Sequence, residues 1–181
     1  MDNSFLVKLC SRTWALTSLQ LIARGTSARI SPLAAAACCG RTAMSASVTH
    51  LVELGLLEKN PGYGHPMRPE FRLTANGVAV ASWAADLYEL VDSEHDRSIL
   101  RGKWSLPLLS CLPKETRYSA LRRELAPVTD RALSKCLGQL TERHWVVRDV
   151  SADTSPPSVS YCAIDDGVIL HRQLRQLPAV A

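Results

Sequence analysis

The 181-residue chain has no apolar run close to the roughly 20 residues that span a bilayer. It also lacks a secretory signal pattern, because Lys8 and Arg12 interrupt the N-terminal stretch and the apolar segment after them is short. No C-x-x-C pair occurs among the six cysteines, so no metal or redox motif is indicated. These absences predict a cytoplasmic protein with no membrane partner, no bound metal and no cofactor, in which most cysteines are reduced and buried.

The chain also has little net charge. The formal net charge is only +4, and 21% of the residues are charged. This balance permits nucleic-acid binding without demanding it, because an ordinary solvated surface gives the same sum. The 46% of hydrophobic residues is typical of a globular protein, and the length suits two small domains.

What the sequence does contain is an internal repeat with an offset of 88 to 90 residues. A varying offset is expected if small insertions lie in loops. The repeat predicts two copies of one small module, in domains at residues 1–91 and 97–181 joined by a polar linker at 92–96. The aligned pairs are Trp14 with Trp104, Leu33 with Leu121, Met44 with Leu133, Leu51 with Leu140, Leu57 with Val146, Phe71 with Tyr161, and Gly77 with Gly167.

Each copy has the periodicity of helices followed by a two-stranded ribbon and a closing helix. In the first copy, the apolar spacing over residues 5–21 predicts helical structure up to a stop at Gly25. Ser31 and Pro32 predict the start of the next helix, since Ser is a good N-cap and Pro suits the first helical position.

A third helix is expected at residues 41–54, followed by strands at 56–59 and 70–73 around a loop at 60–64. The pattern of helix, turn, helix and hairpin is that of a winged helix-turn-helix. The second copy repeats it, with helices at 99–112, 118–125 and 129–142, strands at 146–148 and 158–161 around a Pro-rich tip at 155–157, and a last helix that ends before Pro178.

Three segments of the second copy carry a specific pattern. Residues 101–109 contain Gly-Lys-Trp, residues 117–125 contain Tyr-Ser-Ala-Leu-Arg-Arg, and residues 129–135 follow as the start of the third helix. Together they resemble the HxlR-type winged-helix transcriptional regulators over residues 97–177. Members of that family are usually one-module chains that pair as homodimers on DNA. The resemblance implies a mainly α fold with small β-hairpin wings, in which two winged helix-turn-helix domains pack as an internal pseudo-dimer, with further homodimerisation left open.

The resemblance makes the third helix of the second copy the DNA reader and duplex DNA the partner. Arg131, Ser134 and Lys135 are the candidates for base contacts, because Arg and Lys donate to guanine and Ser serves either base type. Candidates for phosphate contacts are Lys114, Arg117, Arg122 and Arg123, with Arg41 in the first copy. The alternative treats these as solvated charges balanced by Glu115, Glu124 and Asp130.

The first copy departs from the family pattern. An Ala-Cys-rich segment at residues 31–40 replaces the Arg-rich helix, and Arg41 is the one cation expected on its third helix. We therefore expect this copy to keep the scaffold and to have lost most of its DNA affinity.

Two interpretations of the Ala-Cys-rich segment remain open. Small side chains let helices approach closely, or they leave a pocket for a small apolar or aromatic effector. The candidate pocket residues are Trp14, Cys38, Cys39, His50, Trp83 and Trp104. The leading hypothesis is a DNA-binding regulator. The alternative is a winged-helix scaffold repurposed as a small-molecule-binding protein or an enzyme. No nucleophile with a matching base is recognisable, so catalysis is left undecided.

Overall fold

In the computed structural model, residues 3–61, 69–151 and 158–180 can be described. They form two compact units. The N-terminal unit comprises Leu9–Glu89 with residues 177–180, and the C-terminal unit comprises Leu90–Gln176 with residues 3–8. None of the described helices is long and apolar enough to cross a membrane.

Helix α1 covers Asn3–Leu9, and its residues 3–8 belong to the C-terminal unit. The N-terminal unit continues with helices α2 (Ala15–Ala23), α3 (Ile30–Ala36) and α4 (Arg41–Glu53), strands β1 (Leu57–Lys59) and β2 (Phe71–Leu73), and helix α5 (Ala75–Glu89). β1 and β2 form an antiparallel hairpin in which Leu57 pairs with Leu73. The order is the predicted one. The loop predicted at 60–64 extends beyond the described residues.

From Leu90 onward, the C-terminal unit repeats the element order of α1 to α5 with one extra strand. Its elements are helices α6 (Glu94–Leu100) and α7 (Ser105–Ser110), strand β3 (Thr116–Arg117), helices α8 (Tyr118–Glu124) and α9 (Asp130–Glu142), strands β4 (Val146–Ser151) and β5 (Ser158–Ala163), and helix α10 (Asp166–Leu174). The three strands form an antiparallel sheet in the order β3-β5-β4. The predicted wing tip at 155–157 lies outside the described residues.

Several predicted boundaries are wrong for local reasons. The helical stretch over residues 5–21 is broken between α1 and α2, where Ser11 and Thr13 are poor helix formers because their side chains compete for backbone hydrogen bonds. The predicted helix at 99–112 is likewise divided between α6 and α7, at Gly102.

Other boundaries shift by a few residues. Helix α3 begins at Ile30, with Arg29 rather than Ser31 at its N-cap, and Cys38 follows it with φ +50°. The linker expected at 92–96 contains the start of α6, where the Ser93 side chain accepts a hydrogen bond from the Asp96 amide and caps the helix. Helix α10 ends at Leu174, before the residue predicted as its last apolar contact, Leu177.

The ends of α4 and α9 have the same backbone geometry. After α4, Gly55 takes φ +69° and the Leu56 amide donates to the Leu51 carbonyl at 2.9 Å. After α9, His144 takes φ +60° and the Trp145 amide donates to the Leu140 carbonyl, also at 2.9 Å. Both ends are Schellman-type caps, which turn the chain from the helix into the first wing strand.

One glycine in each unit determines how closely the closing helix packs. A Cβ on Gly77 would lie 1.9 Å from the Leu56 carbonyl oxygen, and a Cβ on Gly167 would lie 1.9 Å from that of Trp145. Both positions are far too close for any side chain, so α5 and α10 pack directly on the backbone of the residue that precedes the first wing strand of their unit. The aligned glycines therefore have one structural cause.

The apolar residues spaced along one side of α4 and α9 are buried. Met44, Val48 and Leu51 of α4 are at most 1% exposed, and Leu133 and Leu140 of α9 are fully buried. Each of these helices thus has one apolar face against its unit and leaves the opposite face exposed. That exposed face is where the two units differ.

Candidate nucleic-acid interface

Helix α9 presents three of the predicted DNA-contact residues on one exposed face. Arg131, Ser134 and Lys135 are all exposed, whereas Cys136 and Leu137 beside them are buried. The Thr129 side chain caps the helix by accepting a hydrogen bond from the Ala132 amide at 3.3 Å. The cap and the buried face hold the basic side chains on a rigid 13-residue helix.

The preceding elements supply the predicted phosphate contacts. Lys114 precedes β3, Arg117 lies in β3, and Arg122 and Arg123 lie on α8, all four exposed. The Tyr118 hydroxyl lies 3.1 Å from the Ser134 hydroxyl, which ties the start of α8 to α9. This contact brings the basic residues of α8 and α9 onto neighbouring parts of one unit.

Acidic partners neutralise little of this surface. Arg122 forms an ion pair with Asp130 at 3.0 Å. The other two acids expected to balance the charge face elsewhere, since Glu115 accepts a hydrogen bond from the Ser160 hydroxyl at 2.6 Å and Glu124 contacts the Cys111 thiol. Within the described residues, Lys114, Arg117, Arg123, Arg131 and Lys135 have no ion-pair partner. Five cations are therefore available to an anionic ligand.

The buried cysteine thiols carry no charge at neutral pH. Burial raises the pKa of the Cys136 thiol to about 11 and that of Cys111 to about 12. Both thiols therefore stay protonated at neutral pH and act as small apolar side chains. Cys10 is fully buried, and its thiol pKa is likewise raised to about 12. Three of the six cysteines are thus buried, whereas Cys38 is exposed and Cys39 and Cys162 are half-buried.

One ion pair supports the C-terminal unit from within. Asp96 is 4% exposed and accepts two hydrogen bonds from the Arg143 guanidinium, at 2.5 and 3.1 Å. These bonds hold the pKa of the Asp96 carboxyl below its usual value. The pair joins α6 to Arg143, the residue that follows α9, and so fixes the C-terminal end of α9 to α6.

The exposed face of α4 is built differently. Arg41, Thr42, Ser45 and Thr49 are exposed, but they lie along a groove of about 1100 Å³. Beside Arg41, the groove is lined by Arg12, which lies between α1 and α2, and by Arg29 at the N-cap of α3. Arg41 is the one Arg or Lys that α4 itself carries, and two further arginines reach the groove from outside the helix.

The sequence held a partial signal for these residues. The offset of 88 that aligns Leu33 with Leu121 also aligns Arg29 with Arg117. The structure supports that alignment, because Ala28 accepts a hydrogen bond from the Phe71 amide in the place where Thr116 pairs with Tyr161. Arg12 aligns with Gly102 and could not have been found in this way.

The residues predicted to form an apolar pocket are dispersed. Trp83 is 3% exposed within α5, Trp14 and Trp104 are half-buried at the N-caps of α2 and α7, and Cys38 is exposed. His50 lines the groove on α4, whereas the three tryptophans, Cys38 and Cys39 do not. Ala34 of α3 is 3% exposed, which fits the interpretation that small side chains there serve close helix packing.

Comparison with known proteins finds a family match for one part of the chain. Residues 99–181 match the HxlR-like helix-turn-helix family. A crystal structure of a MarR-family transcriptional regulator from Porphyromonas gingivalis W83 is similar with a TM-score of 0.43 and 19% identity, over 48% of this chain and 90% of that one. No curated protein matches the chain. The C-terminal part of the chain, which carries α9 and its exposed Arg131 and Lys135, is thus similar to HxlR-like helix-turn-helix domains.

Proposed function

We propose that the protein is a transcriptional regulator that binds duplex DNA mainly through α9. The observation that carries this proposal is the face formed by Arg131, Ser134 and Lys135, which is exposed and has little acidic compensation within a domain matched by a helix-turn-helix family. An α-helix of this kind fits the major groove of B-DNA.

The residues around α9 suit two kinds of contact. Arg131 and Lys135 can donate to the N7 and O6 atoms of guanine. Arg117, Arg123 and Lys114 suit phosphate oxygens, which fix the register of the helix on the duplex without reading sequence. Ser134 already contacts the Tyr118 hydroxyl, so its role is to accept or donate one further hydrogen bond.

We infer that the two units are copies of one ancestral module. The matching caps after α4 and α9, and the matching glycine contacts at Gly77 and Gly167, support this inference, because neither feature is required by a helix-turn-helix surface. One-module relatives obtain two modules by pairing. A single chain of this protein would then supply both modules itself, as an internal pseudo-dimer. Light scattering of the DNA complex tests this, with one chain per site expected.

The DNA proposal is tested by fluorescence anisotropy with a duplex from the upstream region of the gene itself. The double variant Arg131→Ala with Lys135→Ala should weaken binding about 100-fold, because each lost contact to a base or phosphate costs about 1–3 kcal/mol. The slope of log K against log salt should become shallower by about 0.9 for each lost phosphate contact.

The matched control is Arg172→Ala with Arg175→Ala, which removes the same charge from exposed positions in and just after α10. A general charge effect would weaken binding equally in both variants and would contradict a specific α9 interface. Failure of the unmodified protein to bind the duplex even at low salt would reject DNA binding itself.

The groove on α4 favours a second candidate, in which the protein binds a small molecule and has no DNA function. Its lining of arginine and hydroxyl side chains is more polar than the apolar pocket expected from the tryptophans. The same DNA titration separates the two candidates, because only a regulator requires the α9 cations.

A further inference from the structure

We propose that the groove over α4 is a binding site for a small organic anion that carries a carboxylate or phosphate group. This site lies entirely within the N-terminal unit and is independent of the DNA surface on α9. Three observations support the proposal: arginines from separate segments line the groove, no side chain caps the N-terminus of α4, and the groove is concave with short side chains along it.

Three arginines from separate segments line the groove. Arg12 comes from the α1–α2 connection, Arg29 from the N-cap of α3 and Arg41 from the first position of α4. Arg12 and Arg41 have no ion-pair partner in the part of the chain that the structure describes, and Arg29 contacts Glu70 at 3.3 Å with 46% of its side chain exposed. Arginine binds planar carboxylates and phosphates in a two-pronged manner, which makes this cluster selective for such groups.

Acidic groups reduce this charge only in part. Glu53 also lines the groove, but its carboxylate lies 3.7 Å from the ring of His50. The His50 ring is held on its other side by the Ser11 hydroxyl at 3.1 Å. The local balance therefore remains positive.

The N-terminus of α4 adds a second favourable element. Its N-cap is Gly40, which supplies no side-chain cap, and its first turn contains no acidic residue. The first backbone N–H groups of this 13-residue helix are thus available to an anion beside Arg41. In α9 the same position is occupied by the protein itself, because Thr129 caps the helix and Asp130 lies in its first turn.

The shape of the groove argues for a small ligand rather than a duplex. The α4 side chains along it, Thr42, Ser45 and Ala46, are short, and the concavity measures about 1100 Å³. Small-molecule sites in proteins usually occupy roughly 300–1,000 Å³. Helices that read the major groove most often present Arg, Lys, Asn or Gln to the base edges, and beyond Arg41 the groove face of α4 carries none of these. Short side chains within a concave, arginine-lined surface favour an anion that enters the groove.

The test is isothermal titration of the full chain with citrate and, separately, with inorganic phosphate at low ionic strength. Citrate presents several carboxylates and is expected to bind more tightly than phosphate. The double variant Arg12→Gln with Arg41→Gln should weaken citrate binding at least about tenfold, since two charge-assisted contacts to the anion are lost. The matched control, Arg131→Gln with Lys135→Gln, should leave citrate binding unchanged.

A second variant tests shape without changing charge. Ser45→Leu fills part of the groove from an exposed position, so the fold should be retained, as circular dichroism can verify. Citrate binding should fall at least about fivefold through loss of space in the site.

Three results would overturn the proposal. The first is the absence of heat with either anion up to about 10 mM, a concentration at which even weak specific binding is measurable. The second is equal citrate affinity in the Arg12/Arg41 variant and the unmodified protein. The third is a larger loss of duplex binding in the Arg12/Arg41 variant than in the Arg131/Lys135 variant, which would make the groove a DNA contact instead. Loss of duplex binding in the α9 variant alone concerns the proposed function and leaves the anion site intact.

Discussion

Helices α4 and α9 have the same length and end in the same type of cap, yet their exposed faces have opposite character. The α9 face offers long cations on the helix itself, with its N-terminus already capped by Thr129. The α4 face offers short hydroxyl side chains in a groove whose cations come mostly from neighbouring segments. Similar backbone geometry therefore supports a cationic surface carried by the helix itself in one unit and a groove lined by several segments in the other.

This difference distinguishes positions that are constrained by packing from positions that face solvent. The Schellman-type caps and the contacts at Gly77 and Gly167 determine how the closing helix packs beside the start of the wing, and both features occur in each unit. The positions that face solvent carry no such packing requirement. Function can therefore diverge between the units while the scaffold stays the same.

The shared scaffold is tested most strongly at its glycines. Gly77→Ala and Gly167→Ala should each destabilise their own unit by about 2–4 kcal/mol, because the new methyl group would overlap a backbone carbonyl oxygen that cannot move freely. Chemical denaturation followed by circular dichroism measures the loss. Gly138→Ala within α9 is the control, since a Cβ there meets nothing within 4 Å, and it should stabilise by about 0.5–1 kcal/mol. Unequal losses at the two paired positions would break the equivalence of the units.

The second prediction concerns an ion pair of the C-terminal unit. Asp96→Asn should destabilise that unit by about 1–2 kcal/mol at neutral pH, because the nearly buried carboxylate loses its charge-assisted bonds to the half-exposed Arg143. Since Arg143 lowers the pKa of Asp96, the contribution is complete above the ordinary carboxyl range and is lost as the pH falls through the lowered pKa. Hydrogen exchange measured at decreasing pH should show the unmodified C-terminal unit opening, and this acid dependence should be weaker in Asp96→Asn. An unchanged profile in the variant would exclude the pair as its cause.

A third prediction transfers the α9 cations to α4. Thr42 and Ala46 align with Arg131 and Lys135 at an offset of 89. Thr42→Arg with Ala46→Lys should raise duplex affinity about tenfold and steepen the salt slope by about 1, if α4 also faces DNA. Anisotropy titration at several salt concentrations measures both. Val78→Arg with Ser82→Lys adds the same charges to exposed positions of α5 and serves as the control. Equal gains in the two variants would indicate a general charge effect.

The smallest effects are expected at the thiols. Iodoacetamide at pH 8 should label Cys38 first, because it is exposed. Cys10, Cys111 and Cys136 should remain unlabelled in the folded protein, since burial raises their pKa values to about 12, 12 and 11. Peptide mass spectrometry gives the order. Early labelling of Cys111 would show that the helix carrying Asn3, whose amide donates to that thiol at 3.0 Å, is not stably docked.

Periodicity in the sequence was sufficient to predict the helices and strands whose positions depend on one buried face. The helix expected at 41–54 is α4, and the one expected at 129–142 is α9, because a regular apolar repeat in each case specifies both the element and its orientation. The starts and ends of shorter helices were predicted less well. The start of α3 depends on the extended backbone at Arg29 rather than on the capping tendency of Ser31.

The DNA-contact candidates came from a family pattern, and their exposure agrees with that role without testing it. The groove on α4 could not be predicted, because it is a property of three segments that are distant in sequence. Local spacing reveals which residues share a helix face, but not that Arg12, from outside the helix, lines the same groove as Arg41. The glycine alignment was visible in sequence, whereas its cause, a close approach between helix and strand, required coordinates.

The position of α1 has a consequence for biosynthesis. Asn3 bonds to Cys111 across a separation of 108 residues, and Ser110 donates to Asn3 at 2.7 Å. At translation rates of about 5–20 residues per second, α1 must wait on the order of 5–20 s before these partners have been made. During that interval Leu6, which is fully buried in the finished protein, lacks its final environment. A segment that is synthesised before the N-terminal unit is completed by the unit that follows, so folding of this chain cannot proceed strictly in the order of synthesis.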